Sequence, residues 1–364
     1  VATRASGYDW RKPVPGWVKD TEWGPYIPFE RYPQLLNPPS GFLQNCNEPF
    51  WVATRGSGLD PLAPAPYYLQ NPPAVDSART RSALAARAVE QYLQEPGKPT
   101  AGEEALNTRG ERVFQVLTQD KKLTLDEMKH LGLDTYVVPA DVIVPLLDRA
   151  HTSAPEPRLV RAIDLIRAWN RRSATDSVTF TYVYFWAKAY IDLFTGSRFS
   201  RFISYSRRKI DLDSAEEQDM ALRALKEALD RIEKRFGRSE VPWGDVNVVV
   251  RGGVFPMDGT DLLGVLHPDE GVQQDDGRIH CNDGWGHLMV VMEGDPKQIW
   301  SLLPYGQSED PKSPHYNDQA KLHSRRELKR FWFTAEEILR HTTRVWGSRD
   351  RLEKMKDASD TKGD

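Results

Sequence analysis

Hydrophobic positions recur at helical spacing through the middle of the chain. In the segment PRLVRAIDLIRAWNRR, the apolar residues Leu159, Ile163 and Ile166 lie three or four positions apart, which places them on one face of a helix. The segment SAEEQDMALRALKEALDRIEKRFG has the clearest amphipathic pattern, and it stops at Gly237, a residue type common just after a helix. Both segments are therefore predicted to be helices that pack one face against a core.

Further helices are predicted on both sides of these two. The stretch DSARTRSALAARAVEQYLQ has helical composition with Asp76 or Ser77 as its N-cap, and LTLDEMKHLGL has Thr124 in the capping position. PADVIVPLLDRAH is also predicted to be helical, and the nearly all-apolar DSVTFTYVYFWAKAYIDLFTG is predicted to be a buried helix. Two final helices are predicted in YNDQAKLHSRRELKRFW and TAEEILRHTTR.

Strand patterns lie towards the two ends of the sequence. The Pro- and aromatic-rich first part has its best strand candidate in GFLQNCN, from Gly41 to Asn47. After Trp243, VNVVVRGG carries β-branched residues, and HLMVVMEG and QIWSLLPYG are predicted to be two strands joined by the turn GDPK. The intervening GRIHCNDGWGHL, which contains His280 and His287, is interpreted as a turn between strands.

The order of these patterns predicts an α+β protein with segregated helical and strand regions. Residues 1–76 are predicted to be an extended segment, because proline interrupts both helices and strand ladders. Residues 77–237 are predicted to form a helical lobe, and residues 238–345 carry the strands and the C-terminal helices. Residues 346–364 are a charged tail that we expect to be frayed.

Composition and charge narrow the class of protein without identifying it. The 364 residues are 39% hydrophobic and 28% charged, which is typical of a globular protein with a sizeable core. A net charge of −3 gives no electrostatic case for binding nucleic acid or a membrane surface. No apolar run reaches the roughly 18–20 residues that a membrane span needs.

Cysteine and histidine usage predicts no metal site. Cys46 and Cys281 are too few for a cysteine-built zinc site, and whether they pair is left open. The 8 histidines do not form a metal-binding set by spacing. Phosphate-binding GxxxxGK[ST] and nucleophile GxSxG motifs are absent from the sequence as well.

Two asparagines flank Cys46 at the end of the first predicted strand. Asparagine tolerates left-handed backbone angles and hydrogen-bonds its own backbone. On their own, Asn45 and Asn47 therefore indicate a turn.

Several segments resemble one enzyme family in the same order. The polar loop PYGQSEDPKSPHYNDQ resembles the C-terminal signature of the penicillin acylase family of N-terminal nucleophile amidohydrolases. Trp23 to Trp51, VDSARTRSALAAR, AWNRRSATDSVTFTYVYF and VPWGDVN resemble further family segments, although Asn170 stands where an acid is usual. The resemblance extends from about Trp23 to Arg340.

The resemblance implies part of the four-layer αββα sandwich of these hydrolases, with the helical lobe beside it. In this family the N-terminal Ser of the β chain attacks a linear amide, and its own α-amine acts as the base. The implied substrate is a small acyl amide, either an acyl-homoserine lactone or a β-lactam with its acyl side chain. The chemistry needs no cofactor. Some members hold a structural calcium, whose ligands cannot be placed in this sequence.

The resemblance also assigns roles to residues. Asn47 matches the asparagine of the oxyanion hole, where an uncharged amide N–H2 group strengthens its hydrogen bond as the carbonyl oxygen becomes negative. Arg79 matches the arginine that orients the site, and Arg81 is the nearby alternative. The implied substrate-binding residues adjoin Asn47 in the sequence: Glu48, Phe50 and Trp51.

The family's nucleophile has no counterpart here, since Val1 is not Ser, Thr or Cys. We therefore expect the C-terminal part of an acylase β chain that is inactive alone. Its expected partners are the α chain and the N-terminal part of the β chain. The family implies a periplasmic or secreted enzyme, although no signal peptide is present in the sequence. The alternative is a non-catalytic binding or remnant protein on the same scaffold.

Overall fold

The computed structural model describes residues 13–22, 28–48, 50–59, 106–119, 122–195 and 210–343. Within these ranges the helices are α1 Thr108–Leu117, α2 Leu125–Gly132, α3 Ala140–Ser153, α4 Val160–Ala168, α5 Val178–Tyr190, α6 Ala215–Phe236, α7 Trp243–Val246, α8 Ala320–Ser324 and α9 Ala335–His341. The strands are β1 Asn247–Val250, β2 Val254–Pro256, β3 Glu270–Gln273, β4 Ile279–Asp283, β5 Leu288–Met292, β6 Gln298–Leu302 and β7 Lys329–Phe331. This mixture confirms the α+β class. The four-layer arrangement and the domain boundaries stay predictions.

The helix ends follow the local sequence. Thr124 caps α2: its hydroxyl accepts from the Glu127 N–H at 3.2 Å, and the Glu127 carboxylate accepts from the Thr124 N–H at 2.8 Å. Helix α6 stops before Gly237, whose φ of 68° is the left-handed angle predicted for a C-terminal glycine. The helix predicted from Asp76 lies outside the described residues. In the described part of the chain, no helix has the length and apolarity to cross a membrane.

The described residues divide between two compact units. The first unit contains the described residues within 1–121, 137–171 and 186–227, and the second contains those within 122–136, 172–185 and 228–364. In the first unit, a small core contains Val52, Leu106 and Phe114, with Phe42 and Trp51 packed against it. This core lies directly beside residues 47–48 and 50–51, which are the predicted oxyanion and substrate-binding residues.

The second unit holds both sheets. One sheet has the order β2–β1–β4–β3, in which β1 is antiparallel to β2 and parallel to β4. The other is the antiparallel sheet β5–β6–β7, whose first two strands form the predicted hairpin with Val290 opposite Trp300. Leu133, Leu288 and Leu302 form a buried cluster in this unit.

Three predicted elements are wrong. Gly41 to Asn47 is not a strand, because Gly41 (φ 76°) and Asn47 (φ 67°) adopt left-handed backbone angles that break an extended ladder. The predicted helix from Tyr316 to Trp332 contains only the short α8, followed by β7. The stretch interpreted as a turn around His280 contains strand β4, paired with β1 and β3.

Candidate functional site

Asn47 lies in a tight turn of the first unit. The side-chain oxygen of Asn45 accepts from the backbone N–H of Asn47 at 2.8 Å, the self-bonding geometry expected of an asparagine turn. The positive φ of Asn47 is tolerated because its short polar side chain suits the left-handed region. The side chain of Asn47 is exposed at the tip of this turn. The turn indicated by the two asparagines is therefore present.

The start of helix α1 holds this turn in place. Asn107 caps α1, since its side-chain oxygen accepts from the N–H groups of Arg109 at 3.0 Å and Gly110 at 3.1 Å. The Nδ2 group of the same side chain donates to the carbonyl of Cys46 at 2.6 Å. One asparagine therefore joins the helix N-terminus to the turn.

Glu48 makes a second link between the turn and α1. Its carboxylate accepts from the N–H of Cys46 at 3.0 Å and from the N–H of Asn107 at 3.1 Å. Gly110 leaves room for this carboxylate, because a Cβ at that position would lie 1.8 Å from Oε1 of Glu48. Glu48 thus positions the turn, and its predicted contact with substrate stays a prediction.

Arg109 is the arginine that contacts Asn47 among the described residues. Its guanidinium donates to the side-chain oxygen of Asn47 at 3.0 Å and to the carbonyl of Cys46 at 3.3 Å. Because a guanidinium only donates, it selects the oxygen of the amide and orients the Nδ2–H2 group away from itself. Arg79 and Arg81 lie outside the described residues, so the predicted role of Arg79 stays a prediction.

Cys46 is not set up as a nucleophile. Burial, together with the neighbouring Glu48 carboxylate, raises the pKa of its thiol to about 11. A protonated thiol is a poor nucleophile at neutral pH. Both cysteines of the chain are free.

Phe50 and Trp51 lie beside the turn. Their rings are edge-to-face with centroids 5.2 Å apart, and both side chains are half-buried. Trp51 packs against the core of the first unit, and its carbonyl accepts from the Ser57 hydroxyl at 2.7 Å. The predicted acyl-pocket role of both aromatic residues stays a prediction.

A second cluster of ionisable side chains lies in the second unit. His267, Asp269, His323 and Asp258 are all buried there. Burial opposes a charge on His267, but Asp269 and Asp258 outweigh it and raise its pKa to about 10. For His323, burial dominates and lowers the pKa to about 4. His267, Asp269 and His323 form the group in the described part of the chain that has the donors to hold a metal ion.

Sequence reasoning missed both Arg109 and the histidine cluster. The NTRGER stretch carries a recognisable cap, since Asn107 precedes a helical pattern. No local signal in the sequence predicts the hydrogen bond from Arg109 to Asn47, because the two residues are 62 positions apart. His267 and His323 are likewise 56 residues apart.

Comparison with known proteins decides the family. The penicillin amidase family model matches residues 1–340. The chain belongs to the penicillin amidase family. The resemblance seen in the sequence is therefore confirmed.

Two curated relatives are acyl-homoserine lactone acylases. The chain is 28% identical over 336 residues to the acyl-homoserine lactone acylase PvdQ of Pseudomonas fluorescens (strain Pf0-1), covering 88% of this chain and 38% of that protein. It is 24% identical over 325 residues to PvdQ of Pseudomonas savastanoi pv. phaseolicola, covering 85% of this chain and 37% of that protein. The chain thus spans well under half the length of these relatives.

A solved structure gives a weaker match. A thermostable penicillin G acylase from Alcaligenes faecalis is 16% identical with a TM-score of 0.47, and the match covers 95% of this chain and 63% of that one.

Proposed function

We propose that this chain is the C-terminal part of a Ser-nucleophile amidohydrolase that releases an acyl group from a linear amide. The observation that carries the proposal is the Asn47 side chain, whose oxygen accepts from Arg109 at 3.0 Å. Membership of the penicillin amidase family supports the same reading. The relatives named acyl-homoserine lactone acylase favour an acyl-homoserine lactone as the substrate, and a β-lactam with an acyl side chain is the second choice.

The proposed reaction has two steps. The Ser oxygen, supplied by the rest of the enzyme, attacks the amide carbon, and its proton passes to the Ser α-amine. The tetrahedral intermediate carries a negative oxygen, to which the Nδ2–H2 group of Asn47 donates. The carbon–nitrogen bond then breaks and the amine leaves with the proton. Water attacks the acyl-enzyme, releasing the acid and the Ser hydroxyl, and no cofactor is required.

Asn47 suits this task because its environment fixes the amide before reaction. The turn is joined to α1 through Asn107 and Glu48, and Arg109 sets which end of the amide is the donor. A donor that is already oriented needs no reorganisation as charge develops. We infer that Arg109 is the positioning residue for Asn47.

The rest of the acylase is the proposed partner. The cross-strand register places Val291, Ile299 and Phe331 in one row on the β5–β6–β7 sheet. Val291 and Phe331, on the two outer strands, are each 45% exposed, whereas Ile299 between them is buried, and Met289, two residues from Val291 on the same face, is 49% exposed. An apolar face of this kind is typical of a surface that another part of the protein covers. As in the family, we place the whole enzyme in the periplasm or outside the cell.

The test is amide hydrolysis by the full-length precursor with acyl-homoserine lactones and β-lactams. Asn47→Ala is expected to lower kcat by about 10²–10³-fold, the usual effect of losing one oxyanion donor. Self-processing should persist, and Asn282→Ala, which removes an exposed asparagine in β4, is the matched control. If Asn47→Ala cleaves as fast as the native enzyme, the assignment is wrong. If the native precursor binds these amides without cleaving them, a non-catalytic protein is the better description.

A further inference from the structure

Two histidines and an aspartate meet at one point inside the second unit. His267 and Asp269 lie on the segment between β2 and β3, and His323 lies in α8. The two Nε2 atoms are 3.0 Å apart, and the Oδ2 atom of Asp269 is 3.2 Å from Nε2 of His267 and 3.3 Å from Nε2 of His323. Three potential ligand atoms therefore form a nearly equilateral triangle.

We propose that His267, Asp269 and His323 bind a divalent transition-metal ion, most favourably zinc. Zinc bonds to His nitrogen and carboxylate oxygen at about 2.0–2.2 Å in a tetrahedral site, so the ligand atoms of such a site lie roughly 3.3 Å from one another. The three observed separations approach this spacing. An ion above the plane of the triangle would reach all three atoms with little movement of the side chains.

The surroundings of His267 match those of a metal-ligating histidine. With Nε2 directed at the triangle, its Nδ1 atom lies 3.1 Å from Oδ1 of Asp258. The other oxygen of Asp258 is 3.1 Å from Nε of Arg326, which fixes the carboxylate in turn. A carboxylate beside the second ring nitrogen is the usual neighbour of a metal-ligating histidine, although the 3.1 Å contact here is not aligned as a hydrogen bond.

Asp269 also favours a bound cation. The residue is 1% exposed, and neither of its carboxylate oxygens accepts a well-aligned hydrogen bond within the part of the chain that the structure describes. Gly284 makes room for this carboxylate, since a Cβ there would lie 2.5 Å from Oδ1 of Asp269. Burying a carboxylate is costly unless a hydrogen bond or a cation compensates it. Without a metal the His267 ring, 3.2 Å from Oδ2, is the nearest cation, and a bound ion would take over that compensation.

The donor set identifies the class of metal. Two imidazole nitrogens and one carboxylate oxygen suit zinc and its neighbours in the transition series. Calcium instead takes six to eight oxygen ligands, which this cluster does not offer. The ion would link His267 to His323, 56 residues later, and so would fasten α8 to the segment before β3. Its role would be to stabilise the fold, apart from the proposed amide hydrolysis, with a fourth ligand from outside these three side chains completing the tetrahedron.

The first experiment measures zinc bound to the purified full-length enzyme by mass spectrometry of the metal. We expect about one zinc per chain in the native enzyme. His323→Gln and Asp269→Asn should lose most of it, whereas His130→Gln, which changes an exposed histidine of α2, should retain it. Asp258→Asn should still bind zinc, with an affinity lowered by about 10–100-fold.

A second experiment needs no variant and therefore does not depend on variant folding. One sample of native enzyme treated with a chelator is titrated with Zn²⁺ while its Tm is followed, and a second metal-free sample is titrated with Co²⁺ while its visible absorption is recorded. A Tm that rises with Zn²⁺ and the absorption bands of tetrahedral cobalt are expected. If the native enzyme binds no zinc and its Tm does not rise on addition of Zn²⁺, the proposal is overturned. Zinc retained equally by native enzyme, His323→Gln and Asp269→Asn would overturn it too, because the ion would then lie elsewhere.

Discussion

The guanidinium of Arg109 donates to the side-chain oxygen of Asn47 at 3.0 Å, although the two residues are 62 positions apart. The same guanidinium group also donates to the carbonyl of Cys46. Arg109 stands in the first turn of α1, whose cap residue Asn107 bonds the same carbonyl. The helix N-terminus therefore carries the groups that aim the proposed oxyanion donor.

Replacing Arg109 should impair the chemical step more than substrate binding. We expect Arg109→Ala in the full-length enzyme to lower kcat by about 10²-fold with little change in KM, because a misaligned donor acts mainly in the transition state. Arg109→Lys should restore little, since one nitrogen, Nη2 of Arg109, donates to both oxygens and the shorter lysine side chain does not bring its ammonium to that position.

Two further variants complete that test. Arg223→Ala removes an exposed arginine of α6 and should leave kcat unchanged. Arg79→Ala tests the arginine chosen from the sequence. A kcat that falls in Arg79→Ala and stays native in Arg109→Ala would reject Arg109 as the positioning residue.

Gly110→Ala should displace Glu48. The added Cβ would lie 1.8 Å from Oε1 of Glu48, so the carboxylate must leave the two N–H groups that it accepts from. Losing hydrogen bonds to a charged group is expected to cost about 1–3 kcal/mol of stability. Thermal unfolding of the full-length enzyme measures this cost, with Gly16→Ala, where a Cβ meets open space, as the control.

A double-mutant cycle shows whether Glu48 carries the effect of Gly110→Ala. In a Glu48→Ala background the added methyl has no carboxylate to displace, so Gly110→Ala should then be nearly neutral. Equal losses of Tm in both backgrounds would mean that the methyl disturbs something other than Glu48.

Glu111 should make stability depend on pH. Burial, with Asp141 nearby, raises the pKa of Glu111 to about 7. The folded state therefore binds a proton that the unfolded state has released above its pKa near 4.3, and stability falls as pH rises from about 4.5 to 7. Glu111→Gln cannot ionise, so its Tm should exceed the native Tm at pH 8 and approach it below pH 5.

Thermal scans at several pH values check this prediction. Glu216→Gln, an exposed residue of α6, serves as the control and should follow the native curve. If the plots of Tm against pH for native enzyme and Glu111→Gln are parallel from pH 5 to pH 8, the raised pKa assigned to Glu111 is contradicted.

The apolar row on the β5–β6–β7 sheet should make the chain unstable by itself. Val291 and Phe331 are each 45% exposed, so the isolated chain is expected to aggregate and to lack a cooperative thermal transition. Val291→Thr should raise the soluble yield of the isolated chain and weaken its assembly with the rest of the acylase. Thr152→Val, a substitution on α3, is the control. A cooperative transition of the isolated native chain would count against this prediction.

Local sequence patterns were sufficient to predict much of the helical structure. Thr124 and Glu127 form the capping box of α2 from a four-residue signal, and Gly237 ends α6 because a left-handed backbone suits glycine. These features depend on neighbours within one or two turns. The prediction failed at α8 and β7, where the helical composition from Tyr316 to Trp332 was overridden by pairing of β7 with β6.

The sequence by itself determined the α+β class, most helix limits, the β5–β6 hairpin and the family, because periodicity, caps and ordered motifs are all local or sequential signals. It also pointed to Asn47. Only the tertiary structure decided that Arg109 contacts Asn47 and that His267 meets His323, over separations of 62 and 56 residues. Contacts between distant segments depend on how the chain packs, and no spacing along the sequence encodes them.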